Sequence, residues 1–165
     1  MSYAHQDIAR LAENITHKAR QKTVMIALAE SCTGGMIASV LTDVPGSSAT
    51  LDRGFVTYSN QAKIDILGVS NAILEQFGAV SEQTARAMVE GTLNVAPMAD
   101  LALSVTGIAG PGSSGSDKPV GLVHFACQLR GSPQKHANYI FPGNRHIVRQ
   151  QAVRTALIMI WDALD

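Results

Sequence analysis

The chain has 165 residues, enough for a single domain with a substantial buried core. Thirteen Lys plus Arg balance thirteen Asp plus Glu, so the basic surplus that a duplex-binding domain uses against phosphate is missing and no nucleic-acid partner is expected. Two cysteines, Cys32 and Cys127, are too few for a disulfide framework, and no stretch of about 18 apolar residues is present to span a membrane.

Ile8, Leu11, Ala12 and Ile15 recur at helical spacing and predict an amphipathic helix over residues 6–20. TVMIALAE, residues 23–30, is a short apolar run of the kind buried on both faces in a parallel sheet. SCTGG follows, and MIASVLT then predicts a helix whose first turn carries small residues; Pro45 and Gly46 break the chain. GFVTYS predicts a second strand over residues 54–59. NQAKIDIL and NAILEQF predict two short helices closed by Gly68 and Gly78. Ser81 suits the N-cap of a longer helix through Val95, with Ala85, Met88, Val89 and Leu93 on one face and Pro97 beyond its end.

ADLALSVTG predicts a third strand, followed by the glycine-rich loop GIAGPGSSGSDKP. VGLVHFACQL and KHANYIF predict a hairpin around residues 130–134. After PGNR, a last helix buries Val153, Leu157, Ile160, Trp161 and Leu164. Helices and strands alternate first and a hairpin comes late. That order predicts an α/β protein, a three-layer α/β/α sandwich on a mixed, mainly parallel five-stranded sheet, forming one domain over residues 1–165.

Chemistry in such sheets gathers beyond the carboxyl ends of the strands, and three strand ends are unusual. At the first, Ser31-Cys32-Thr33-Gly34-Gly35 separates a strand from a helix. A serine there faces helix N–H groups that can hold an oxyanion, although Ser31 or Thr33 acting only as a cap fits the same pattern. Cys32 is the alternative nucleophile, since a thiol at a helix start is acidified. At the second, Tyr58 and Lys63 flank a turn; a desolvated lysine can take the serine proton, whereas a solvated surface lysine is the plainer reading.

At the third, Gly110, Gly112 and Gly115 match GxGxxG, but Lys118-Pro119-Val120-Gly121 leads into a strand rather than a helix, which removes the dinucleotide reading. What remains is a loop whose backbone can approach a ligand. Arg145, with Arg149 one turn later, opens the last helix and suits a phosphate or a solvated face. His5, His17, His124, His136 and His146 show no ligand spacing, so no metal and no other cofactor is expected.

At these residues the sequence resembles the C-terminal-domain family of the competence-damage-inducible protein CinA. The similar segments are AESCTGG, residues 29–35; GFVTYSNQAKIDILGV, residues 54–69; and GAVS, residues 78–81. TGIAGPGS, residues 106–113, KPVGLV, residues 118–123, and GNRHIVRQQAV, residues 143–153, complete the set. The resemblance implies a sandwich akin to anticodon-binding domains and a metal-free deamidation of nicotinamide mononucleotide (NMN) to nicotinic acid mononucleotide and ammonia. It implies Ser31 as nucleophile, Lys63 assisted by Tyr58 in proton transfer, and Thr106 orienting. Thr33, Gly34, Gly35, Gly107 and Gly110 would border the substrate, with Arg145 on its phosphate.

The longer members carry a further N-terminal domain with a molybdopterin-binding look, so a pyrophosphatase activity tied to it is expected to be absent. Two positions depart from the family: Asn144 stands where it usually has Asp, and the loop is enriched in serine at Ser113, Ser114 and Ser116. The rival reading is a non-catalytic nucleotide-binding or regulatory module. The first ten residues lack a basic-then-apolar leader, so a cytoplasmic address without a membrane partner is expected. Charged residues make up only 16% of the chain, which predicts a face that meets another copy in a homo-oligomer.

Overall fold

The computed structural model describes residues 3–113 and 117–165. Ser114, Gly115 and Ser116, including the last glycine of the GxGxxG match, lie outside the described residues. In chain order the elements are α1 (Tyr3–Lys22), β1 (Ile26–Glu30), α2 (Met36–Thr42), β2 (Leu51–Val56), α3 (Asn60–Leu67) and α4 (Asn71–Phe77). α5 (Glu82–Val95), β3 (Leu101–Gly107), β4 (Leu122–Leu129), β5 (Lys135–Ile140) and α6 (Arg145–Ala163) follow.

The five strands form one sheet in the order β2-β1-β3-β4-β5. β1 pairs in parallel with β2 and with β3, whereas β3–β4 and β4–β5 are antiparallel. Only β4 therefore runs against the others, and the fold is the mixed α/β sandwich the element order predicts. α1, α2 and α6 pack together on one face; α5 covers the other, with α3 and α4 against it.

The two faces of the sheet differ in size. Ile26, Leu28, Leu101, Leu103, Val105, Val123 and Phe125 point into the main core with α1, α2 and α6. Their alternating neighbours Ala27, Ala29, Ala102, Ser104 and Ala126 face the other way and are all fully buried. Small side chains there let α5 lie close, and the Ser104 hydroxyl donates to Ala85 O at 2.6 Å. Gly91 extends this closeness outward: a Cβ at that position would sit 1.9 Å from Leu67 O.

The helix ends follow local chemistry. Ser59, Ser70, Ser81 and Asn144 each accept a backbone N–H at the start of their helix, worth about 1 kcal/mol apiece. Asn144 takes Ile147 N at 3.1 Å. Asn and Asp serve equally well at an N-cap, so Asn144 secures the helix start that positions Arg145.

β2 differs from expectation. It runs Leu51–Val56, not residues 54–59. The cause is its ladder: Ile26 pairs with Leu51 and Glu30 with Val56, so the length of β1 sets both ends. Thr57 still donates its N–H to Glu30 O, and the chain then leaves the ladder ahead of Ser59, which caps α3. Trp161, placed on the buried stripe of α6, is only partly covered, with the Lys18 ammonium 3.9 Å from its ring centroid. No helix among the described residues is long and apolar enough to cross a membrane.

Candidate active site

Parallel register aligns the strand ends. Glu30 is level with Val56 on one side and Val105 on the other. Ser31, Thr57 and Thr106 follow one step beyond, tied by Ser31 N donating to Val105 O at 3.0 Å and Thr57 N to Glu30 O at 2.8 Å. Over this edge lies a cleft of about 490 Å³, bordered by Ser31, Lys63, Tyr58, Thr106, Gly110 and Arg145 among others. That volume suits a small organic ligand.

Lys63 comes from the first turn of α3 and is 1% exposed. Its Nζ lies 3.1 Å from Ser31 Oγ, donates to Thr57 O at 2.8 Å and approaches Tyr58 O at 3.4 Å. No carboxylate forms an ion pair with it among the described residues. Burial disfavours the ammonium and lowers the amine to about 8, against a small opposing pull from Cys32. A neutral amine here has two N–H bonds facing two carbonyls and a lone pair left for the serine hydroxyl.

Cys32, the alternative nucleophile, is buried beside Ser31. Burial pushes its thiol up to about 12, with the Glu30 charge adding to the rise, so at neutral pH the reactive thiolate is scarce.

The helix following Ser31 differs from the sequence reading. The Glu30 carboxylate, 1% exposed, accepts from Gly35 N at 3.0 Å, Ile37 N at 3.1 Å and Ala38 N at 2.8 Å. The first amides of α2 are therefore occupied from within and are not the donors for an oxyanion. Cys32 N and Thr33 N have no backbone or side-chain acceptor from another residue in the described structure. A carboxylate ending an apolar strand just before a helix was the available signal for this arrangement.

Thr106, fully buried, donates its hydroxyl to Ala79 O at 2.7 Å and so ties β3 to the α4–α5 turn. Gly107 borders the cleft and has no space for a side chain: a Cβ would lie 2.7 Å from Val123 Cγ2. Arg145 donates to Gly110 O at 2.8 Å and to the Tyr58 hydroxyl at 2.9 Å. Tyr58 is 58% exposed, and its hydroxyl thus faces Arg145 while only its carbonyl nears Lys63. Thr33, Gly34 and Gly35 do not line the cleft. Thr33 is buried without a hydroxyl partner among the described residues, and Gly34 and Gly35 take left-handed φ values of 60° and 95° to shape the turn.

Sequence reading missed Lys118, which borders the cleft and donates to Phe77 O at 2.7 Å and Val80 O at 2.6 Å. His124 and His136 meet at 3.0 Å on neighbouring strands. Among the described residues no group of three His, Cys, Asp or Glu side chains is placed to hold a metal ion.

Fold and cleft together define an α/β/α domain with a cleft at the carboxyl edge of its sheet. Residues 8–164 match the model of the CinA C-terminal domain, and the chain belongs to that family. It is 53% identical over 127 residues to the nicotinamide-nucleotide amidohydrolase PncC of Enterobacter agglomerans, covering 77% of each chain. The protein of the same name from Escherichia coli K12 is 43% identical over 155 residues, 94% of this chain and 93% of that one. Other relatives are longer. The CinA-like protein of Syntrophobacter fumaroxidans is 44% identical over 93% of this chain, which spans only 36% of it. The crystal structure of the competence/damage inducible protein CihA from Agrobacterium tumefaciens superposes with a TM-score of 0.92 at 46% identity, covering 96% of each chain.

Proposed function

We propose that this protein is an amidohydrolase that converts NMN and water to nicotinic acid mononucleotide and ammonia. The observation that carries the reading is the buried Lys63 amine 3.1 Å from Ser31 Oγ at the floor of the cleft. The two relatives named as nicotinamide-nucleotide amidohydrolases, matched over 77% and over more than 90% of both chains, support the substrate.

In this reading Lys63 takes the Ser31 proton as Oγ bonds to the carboxamide carbon, and the carbonyl electron pair moves to oxygen. Cys32 N, on a residue that borders the cleft and without an acceptor from another residue among the described residues, is the donor this reading gives that oxyanion. When the tetrahedral centre collapses, the C–N bond breaks and the Lys63 ammonium returns its proton to the departing nitrogen, giving ammonia. Water then repeats the sequence on the ester, with Lys63 again the base, and Ser31 is regenerated. Thr106 acts through Ala79, holding the wall formed by the α4–α5 turn, and Gly107 and Gly110 line the cleft without a side chain to fill it. Arg145, held by Gly110 O and the Tyr58 hydroxyl at the rim, receives the phosphate.

The test is ammonia release from NMN, nicotinamide, nicotinamide riboside and NAD by the purified protein. NMN is expected to be turned over with the highest kcat/KM. Binding of NMN without ammonia release would overturn the reading in favour of a non-catalytic nucleotide module. For Arg145→Ala, losing one charge-assisted contact is expected to raise KM for NMN roughly tenfold or more with kcat little changed. Steady-state kinetics check it, and an unchanged KM would remove the phosphate role.

A further inference from the structure

We infer that Arg149 is a positioning residue, whose guanidinium holds the Cys32 and Thr33 carbonyls so that the Ser31 hydroxyl stays against the Lys63 amine. Arg149 lies on α6 one turn beyond Arg145, on the same side of the helix. The two arginines nevertheless do different things. Arg145 reaches the cleft rim, whereas Arg149 is partly buried and does not line the cleft. Its Nε donates to Cys32 O at 3.0 Å and its Nη2 to Thr33 O at 2.9 Å. Two donors on successive carbonyls are a fork that only a guanidinium supplies.

The turn is shaped around that fork. Gly34 has φ +60°, and a Cβ there would lie 3.4 Å from Arg149 Nη2. Because each peptide is planar and trans, fixing a carbonyl also fixes the N–H on the other side of the same bond. The Thr33 carbonyl held by Arg149 thus sets the Gly34 N–H, which donates to Ser31 O at 3.0 Å. The hold passes in this way to the nucleophile's own peptide. Glu30 anchors the far end of the turn on the α2 amides. Between these anchors Ser31 Oγ has one partner among the described residues, Lys63 Nζ.

Releasing the two carbonyls lets the turn shift, and small displacements of a reacting atom cost rate rather than ground-state affinity. The inference rests on the serine–lysine reading proposed above. Arg149→Met is expected to lower kcat roughly 30-fold with KM for NMN within about threefold of wild type. Arg149→Lys, whose single ammonium holds one carbonyl at a time, is expected to fall between the two and keeps the test open if the methionine variant does not fold.

A second readout is the rate at which a fluorophosphonate labels Ser31, followed by mass spectrometry: Oγ bonds to phosphorus, fluoride leaves, and Lys63 takes the proton. Labelling is expected to slow in step with kcat. A raised KM with kcat preserved would make Arg149 a ligand contact, and an unchanged kcat in both variants would remove any role; either overturns the inference while the wild type still works. A wild type that neither releases ammonia nor labels would overturn the serine–lysine reading itself, and this inference with it.

Discussion

Ser31→Ala is expected to abolish ammonia release from NMN while leaving the domain folded. The hydroxyl is the group the mechanism needs to bond to carbon, and without it only the preorganised cleft remains. Losing a nucleophile of this kind costs roughly a thousandfold or more in kcat. Stability changes little by comparison. Among the described residues the Ser31 Oγ has a single partner, Lys63 Nζ, which keeps both of its carbonyl acceptors when the hydroxyl is removed. Exchanging that one hydrogen bond for a methyl group is worth about 1 kcal/mol. A thermal melt beside the ammonia assay separates the two effects. Wild-type turnover in this variant would end the serine mechanism and turn attention to Cys32, despite its thiol standing at about 12.

Lys63→Met is expected to be nearly as severe on kcat, and the wild type's pH profile carries the signature of the same amine. Burial lowers Lys63 to about 8. Below that pH the group is an ammonium and has no lone pair for the serine proton; above it the base is present. kcat/KM is therefore expected to rise as pH increases through about 8 and then level off. Stability follows the same sign. The unfolded chain keeps an ordinary lysine and binds more protons between about 8 and 10.5, so folding is favoured as pH rises through that window. Lys63→Arg keeps the charge but cannot lose its proton, and is expected to be as inactive as Lys63→Met. A profile flat from pH 6 to 9.5, or an active arginine variant, would assign Lys63 to structure rather than proton transfer.

Local signals were legible in the sequence and long-range ones were not. Gly68 closes α3 in the left-handed region and Ser81 opens α5, each read from the residue beside the helix. The burial of β1 on both faces was equally plain, because the apolar or small run from Val24 to Ala29 leaves no polar side before Glu30. The ends of β2 were not readable, since Thr57 and Tyr58 have high strand propensity yet lie beyond the strand, while the ladder with β1 also recruits Leu51 to Arg53. The Ser31–Lys63 approach was available as a hypothesis from strand-end logic, but its distance depends on parallel register that no local pattern encodes. Arg149 and Lys118 show the limit most clearly. Each bonds to carbonyls far away in the chain, and nothing in the flanking residues marks their partners.

The alanine-lined side of the sheet has a bearing on how this protein tolerates change. Ala27, Ala29, Ala102 and Ala126 leave α5 no slack, so an added methylene beneath it has to be absorbed by moving the helix. The turn that leads into α5 is the one Thr106 grips through Ala79 and Lys118 grips through Phe77 and Val80. A bulkier side chain deep in the interior thus works as a wedge whose far end is the mouth of the cleft. Natural variation in ligand preference need not begin at the rim at all.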